Sequence, residues 1–541
     1  MRCTAFAPFV QLAQPMIFWD ICHARNWARI GYAEEGFCEK YGGGCMDSLK
    51  SMKVSRRSFL KTVGLAALGA MLPLEWAGGT QRTTAAGSPD PMRHVLNRLT
   101  WGACPADLEK IRDMGIEGYI EWQLQPERIP DPAIDELFEA QPVLLANYYQ
   151  AKRFEQSDWQ LSYILMWTRL YRAAHSQRQL YERMVEFWTD HFNVPIADSA
   201  VEKLLDDREV IRRHALGHFR DLLFSSAQSP AMLYYLNNDS SDKEHPNENY
   251  AREVMELHTL GVASGYTEQD VKELARILTG WTVGSGQFYF NAEMHDFGEK
   301  QFLGRTFPAG RGLEEGLEAL EILVTHPSTA HFIATKLCRH FVSDDPPESL
   351  VRSVAQVFTA TDGDIRAMLR HLFTSAEFMN SSGQKLRRPM EFVVAFMRTT
   401  GLELTQDYWL LLNALEKLGH MPFCWGPPDG YPDVAEAWLN TNTMLRRWQV
   451  ALYLPVIALG WIEGARIHLD EMVGVPETAA QLVDKLTEVN LPALSLDPRD
   501  REMLIQQIAP EPDYRLDDQE RSEAIPAIAA LLISSPYFQW C

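Results

Sequence analysis

From residue 91 onward the chain repeats apolar side chains at three-and-four spacing almost without interruption, and no other feature constrains its fold as strongly. Leu161-Ile164-Leu165-Thr168, Met184-Phe187-Trp188-His191 and Val271-Leu274-Ala275-Leu278 each place their residues on one face of a helix. Alternating runs rich in Val, Ile and Thr are few, which argues against an extended sheet. Pro130 to Pro132, Ser229-Pro230, His326-Pro327, Pro346-Pro347 and Pro427-Pro428 punctuate the pattern, because proline lacks the amide that would continue a helix. Thr267-Glu268-Gln269-Asp270 has the form of a capping box. The exception is Gln287-Phe288-Tyr289-Phe290-Asn291, which reads as a short strand in the glycine-rich stretch from Gly280 to Gly304. The expected fold is therefore mainly α, a multi-helix globular body with one short β ribbon near residues 287–305.

With 541 residues and 46% apolar content, the chain has enough material for one large or two to three ordinary domains. Its formal charge is −21, and the segment before residue 91 is net basic, so the body is more acidic still. Such a surface repels phosphate backbones and anionic lipid, and no nucleic-acid partner is expected.

Ser55-Arg56-Arg57-Ser58-Phe59-Leu60-Lys61, followed by the apolar run from Val63 to Leu72, has the form of a twin-arginine export leader. The run is about half of the roughly 20 residues a permanent span needs, so a cleaved signal is expected, with no membrane span in the mature chain. The expected location is periplasmic or extracellular. Residues 1–50 read as an over-extended or discarded segment, with Met46 and Met52 as later starts, and residues 51–90 as leader and linker. Cys3, Cys22, Cys38 and Cys45 fall in the first of these. Cys104, Cys338, Cys424 and Cys541 form no C-x-x-C pair, so neither a zinc ribbon nor a thioredoxin-type motif is present.

One internal echo joins Ile365-x-Ala367-x-x-x-x-Leu372-x-x-Ser375-x-x-Phe378 to Ile525-x-Ala527-x-x-x-x-Leu532-x-x-Ser535-x-x-Phe538, and similar helix ends are expected at the two places.

Residues with chemical potential concentrate between 180 and 300. Helical spacing puts Glu182, Glu186 and Asp190 on one face, with Glu182 expected on the solvated side, and Trp188 with His191 on the aromatic side. His191 reads either as a hydrogen-bonded core residue or as a ligand. The densest stretch runs from Pro246 to Gly261, where Asn247 opens a helix and Gly261 closes it. Asn249, Glu253 and Glu256 align on one row and Glu248, Arg252 and Glu256 on a second. This arrangement suits a divalent cation or an acid–base pair; an ion-pair ladder around Arg252 is the equal alternative. His214 with His218, and Asn237-Asp239-Ser241-Glu248, are weaker metal patterns, the second because Lys243 stands where a calcium loop needs glycine. Pro422 to Asp433 carries Trp425 beside Asp429, which suits a sugar ring but better suits a plug between helices. Nucleophile-elbow, P-loop and dinucleotide motifs are absent from the sequence, which lowers serine hydrolases, NTPases and dinucleotide oxidoreductases in rank.

Several of these segments together resemble the bacterial domain-of-unknown-function family 1800. They are Glu182-Arg183-Met184 with Phe187-Trp188-x-x-His191-Phe192, Arg213-His214-Ala215-Leu216-Gly217, and Pro246-Asn247-Glu248-Asn249-Tyr250-Ala251-Arg252-Glu253. Leu278-Thr279-Gly280-Trp281-Thr282, His295-Asp296 before Lys300, and His326-Pro327 ahead of Phe332-Ile333-Ala334 belong to the same resemblance. It implies a helical family core over about residues 91–455, with 456–541 as a C-terminal helical extension packed on it. It also implies export and, as partner, an exported protein of the phosphatase and sulfatase superfamily, but names no reaction. His218 stands where the family usually has asparagine, which weakens a paired-histidine zinc site.

Two functions follow as expectations. The first is an exported enzyme, metal-assisted through one divalent ion, acting on envelope or extracellular polymer. Its catalytic groups would be His191, Glu248, Glu253, His295 and Asp296, its substrate contacts Asn249, Arg252, Trp281 and Trp425, and its metal ligands Glu253, Glu256 and His191. The second is a non-catalytic helical scaffold that binds the phosphatase-like partner.

Overall fold

The computed structural model describes residues 90–541 apart from 155–157, 198, 405–407, 459, 461 and 492–495. The leader and the four N-terminal cysteines lie outside the described residues. Helices dominate, as the apolar period requires, and the helices that position the site are α1 (Asp158–His175), α2 (Gln179–His191), α3 (Glu248–Glu253), α4 (Glu268–Ile277), α5 (Leu313–Thr325), α6 (Pro327–Phe341), α7 (Pro389–Thr400) and α8 (Asp518–Ser534). The expected capping box opens α4, with the Thr267 hydroxyl accepting from Asp270 N and Asp270 Oδ2 from Thr267 N. Asn247 caps α3, and His326 caps α6 through Nδ1 on Ser328 N. Among the described residues no helix is long and apolar enough to cross a membrane.

The single expected ribbon is two separate hairpins. Strand β1 (Trp281–Gly284) pairs antiparallel with β2 (Gln287–Phe290), and β3 (Lys300–Phe302) with β4 (Arg305–Phe307). Each closes on a two-residue turn, Ser285-Gly286 or Leu303-Gly304, whose left-handed dihedrals match the strand twist. Leu303 is an unusual residue there, and Asp270 Oδ1 holds its amide at 2.9 Å.

Buried apolar side chains form two large cores. The first includes α2, α4, α5 and α6; the second gathers α1, α7 and α8. The repeated motif contributes once to each, Phe378 to the first and Phe538 to the second. Both copies end alike: Ser375 Oγ donates to Leu372 O at 2.7 Å and Ser535 Oγ to Leu532 O at 2.5 Å, before a short second helix. Cys104, Cys338, Cys424 and Cys541 are free thiols.

Candidate functional site

Polar side chains collect where α2 leaves the first core and meets the second. Glu182, Glu186 and Asp190 share a face of α2, and that face is buried. Arg212 donates to Glu182 at 2.9 Å, Arg169 to Glu186 at 2.6 Å and Arg388 to Asp190 at 2.5 Å. The solvated position expected for Glu182 is therefore corrected: Arg212 replaces water beside it, and the residue is 2% exposed. Burial works to raise Glu186 and Asp190; at Glu186 Arg169, His420 and Arg388 together outweigh it, and the carboxyl stays far below the usual carboxylate range. At Asp190 burial prevails over Arg388, aided by Glu186 and Asp433, and the carboxyl is raised.

His191 closes α2 and is 1% exposed, edge-on to Trp188 and Phe192. Its Nδ1 accepts a hydrogen bond from Lys336 Nζ at 2.9 Å, and its Nε2 donates to the His258 carbonyl at 3.1 Å. Burial, then Lys336 and His258, hold the imidazole unprotonated, well below its ordinary value. His258 reaches this place because the helix beyond α3 widens into a π turn over Val254–Thr259, where Leu260 N bonds Met255 O at 2.8 Å. Both His258 ring nitrogens are buried without a hydrogen-bond partner, and burial with Lys336 lowers that imidazole to about 3. Lys336 itself is part-buried on α6. Burial lowers its ammonium to about 8, against the pull of Asp190 and Asp433.

The loop from Pro422 to Asp433 covers this end of α2. Asn193 Nδ2 donates to the Trp425 and Pro427 carbonyls at 2.9 and 2.7 Å, and Tyr235 OH to the Gly426 carbonyl at 2.5 Å. Gly430 lies so close to α2 that a Cβ would stand 2.1 Å from Asp190 O, and its φ of +74° is equally unsuited to a side chain. Trp425 Nε1 donates to Asp429 Oδ1 at 2.8 Å. Asp433, bonded to His340 at 2.7 Å and Lys385 at 3.1 Å, anchors the far end. Asp429 acts electrostatically on both Lys336 and Glu253; burial, then Glu256, raise the Glu253 carboxyl.

The expected site residues thus divide among three places. His191 and Trp425 lie at the end of α2 just described, and Glu253 feels the Asp429 charge from α3. Glu248, Arg252 and Glu256 form the ladder, with Arg252 3.2 Å from Glu248, 3.5 Å from Glu256 and 2.8 Å from Glu268, while Asn249 is exposed beside it. His295, Asp296 and Trp281 lie at the hairpins. His295 Nδ1 donates to Thr279 O at 2.7 Å and its Nε2 is 2.9 Å from Glu315; Asp296 pairs with Arg276 at 2.7 Å. Both side chains are held at the hairpins by these partners. Trp281 is fully buried against α5, so it has no face for a ligand. Among the described residues no three His, Cys, Asp or Glu side chains converge as a metal-binding group. The set Glu253, Glu256 and His191 therefore does not form: both His191 nitrogens are engaged and Glu256 is turned to Arg252. His214 and His218 separate likewise, to Ser225 and the Asp362 carbonyl.

Sequence reasoning missed Lys336 and His258 as site members. Lys336 follows the His326-Pro327 motif on the same helix, but nothing local marks it as different from a solvated lysine.

Residues 94–540 match the family described as "Protein of unknown function (DUF1800)". The chain belongs to the DUF1800 family. The match includes α8 and the helices around it as well as Lys336 and His191. No curated protein and no solved structure matches the chain.

Proposed function

We propose that this DUF1800 protein is an exported enzyme that carries out proton-transfer chemistry on an envelope or extracellular polymer, with the Lys336–His191 pair at its centre. The observation that carries the reading is the partner of Lys336. Each buried lysine among the described residues has a carboxylate: Lys203 with Asp206 at 3.1 Å, Lys300 with Glu315 at 2.6 Å and Lys385 with Asp344 at 2.7 Å. Part-buried Lys336 instead donates to an unprotonated imidazole, within reach of the Asp429 charge on the loop that carries Trp425. An amine whose proton affinity lies near neutrality can give and take a proton at working pH, and the raised carboxyl of Asp190, whose charge acts on it, can exchange with it. The half-buried ring of Trp425 suits a sugar face.

The test is a panel of envelope and extracellular polysaccharides, scored by mass spectrometry for released fragments. Wild type is expected to act on a member that Lys336→Met leaves intact; release by both proteins alike, or by neither, would refute the reading. Export rests on Arg56 and Arg57. Replacing both by lysine is expected to retain the protein in the cytoplasm, measured by fractionation, and normal export of that variant would refute it.

A further inference from the structure

A cavity of about 470 Å³ lies where the loop after the π turn, the β3–β4 hairpin and the junction of α5 with α6 meet. Its volume is within the roughly 300–1,000 Å³ usual for small-ligand sites. It stands at the start of α6, roughly 14 Å along that helix from Lys336, and neither Lys336 nor His191 lines it. We propose that this cavity binds a hexuronate, a carboxylate carried on a hydroxylated ring. Two donors on its wall have no partner in the protein. Arg305, beside the hairpin turn, forms no hydrogen bond and no ion pair among the described residues, although the chain carries a formal charge of −21. His326 Nδ1 accepts from Ser328 N at 3.1 Å, so the ring proton is on Nε2, which bonds nothing among the described residues. The carboxylate on the wall, Asp270, is already filled, its Oδ2 by Thr267 N at 2.8 Å and its Oδ1 by Leu303 N at 2.9 Å. The cavity thus offers a guanidinium fork and an imidazole N–H with no acceptor to meet them, and the fork matches a carboxylate.

The rest of the lining suits a sugar ring. Ser264 and Thr325 donate their hydroxyl protons to the Gly261 and Glu321 carbonyls, both at 2.8 Å, and so present lone pairs to ligand hydroxyls. Leu260 and Ile322, 4% and 8% exposed, give an apolar wall for the C–H face of the ring. Asp270 ties the left-handed Leu303 to α4, which fixes the turn that carries Arg305. A phosphate is matched less well. Pro327 has no amide proton, and the next amides of α6 turn back to the capping residue, Ser328 N to His326 Nδ1 and Thr329 N to His326 O, so this helix end offers no amide nest.

The experiment titrates the full chain with glucuronate by calorimetry at constant ionic strength. A Kd on the order of 1 mM or tighter is expected for a ligand of this size. Glucose, which has the ring without the charge, and acetate and inorganic phosphate, which have charge without the ring, are each expected to bind at least about tenfold more weakly. Arg305→Gln removes a side chain that holds nothing in the fold, and it is expected to weaken glucuronate at least about tenfold at an unchanged melting temperature. His326→Asn keeps a capping side chain but loses the Nε2 donor, and a loss of about threefold or more is expected. Lys485→Gln, 57% exposed and outside the cavity, is expected to bind as wild type does. The hexuronate site is overturned by no binding to wild type, by binding that either Arg305→Gln or His326→Asn leaves unchanged, or by glucose, acetate or phosphate binding as tightly as glucuronate. Because binding is read without turnover, the result does not depend on the proton-transfer reading, and failure of either leaves the other standing.

Discussion

Replacing Glu315 by alanine is expected to destabilise the hairpin region more than any exposed substitution, because Glu315 is the only carboxylate in a triad with no exposed side chain. The Lys300 and His295 side chains and Glu315 itself are each 0% exposed. Glu315 Oε1 accepts from Lys300 Nζ at 2.6 Å and lies 2.9 Å from His295 Nε2. Removing one partner of a buried ion pair costs about 3–5 kcal/mol, since the other charge stays desolvated. Lys300 retains the Asp296 and Gly298 carbonyls, which places the loss near the lower end, about 3 kcal/mol. With a urea dependence of about 3 kcal/mol/M, the midpoint should fall by about 1 M, read from tryptophan fluorescence. Glu315→Leu combined with Lys300→Met removes both charges and is expected to lose less than Glu315→Ala alone. A Glu315→Ala midpoint within about 0.2 M of wild type, at an unchanged slope, would refute the reasoning.

Two further outcomes are expected. Stability should fall on acidification. Burial would raise the Glu391 carboxyl, but Arg183 and Arg388 hold it at about 2 against an ordinary 4.5, so its contribution is complete above 4.5 and is lost as pH falls toward 2. His191 and His258, unprotonated in the fold, take up protons on unfolding below 6.5 and start the decline earlier; urea midpoints equal at pH 7 and pH 4 would contradict this. Arg252→Ala should leave the melting temperature within about a degree or two of wild type, since the ladder is half-solvated, and calorimetry showing a large drop would mean the ladder is buried.

Local sequence was enough for the helices and their ends. The Thr267-Asp270 box, the Asn247 and His326 caps and the paired Ser-x-x-Phe endings all depend on groups within a few residues of one another, so the helical period and cap chemistry determine them directly. The grouping of Arg252 with Glu248 and Glu256 was legible for the same reason, although a ladder and a cation site share one spacing and only the third partner, Glu268, distinguishes them. Tertiary packing decided the rest. Lys336 and His191 are 145 residues apart, and the lysine acquires its character from burial and from an imidazole on another helix. Helical spacing placed Glu182, Glu186 and Asp190 on one face but could not say whether that face met water or the second core; Arg212 and Arg169 from other helices, with Arg388 at the start of α7, settle it. His295 and Trp281, promising by residue type, became structural once β1, β2 and α5 closed over them, because solvent access is a property of the packed chain and not of its local sequence.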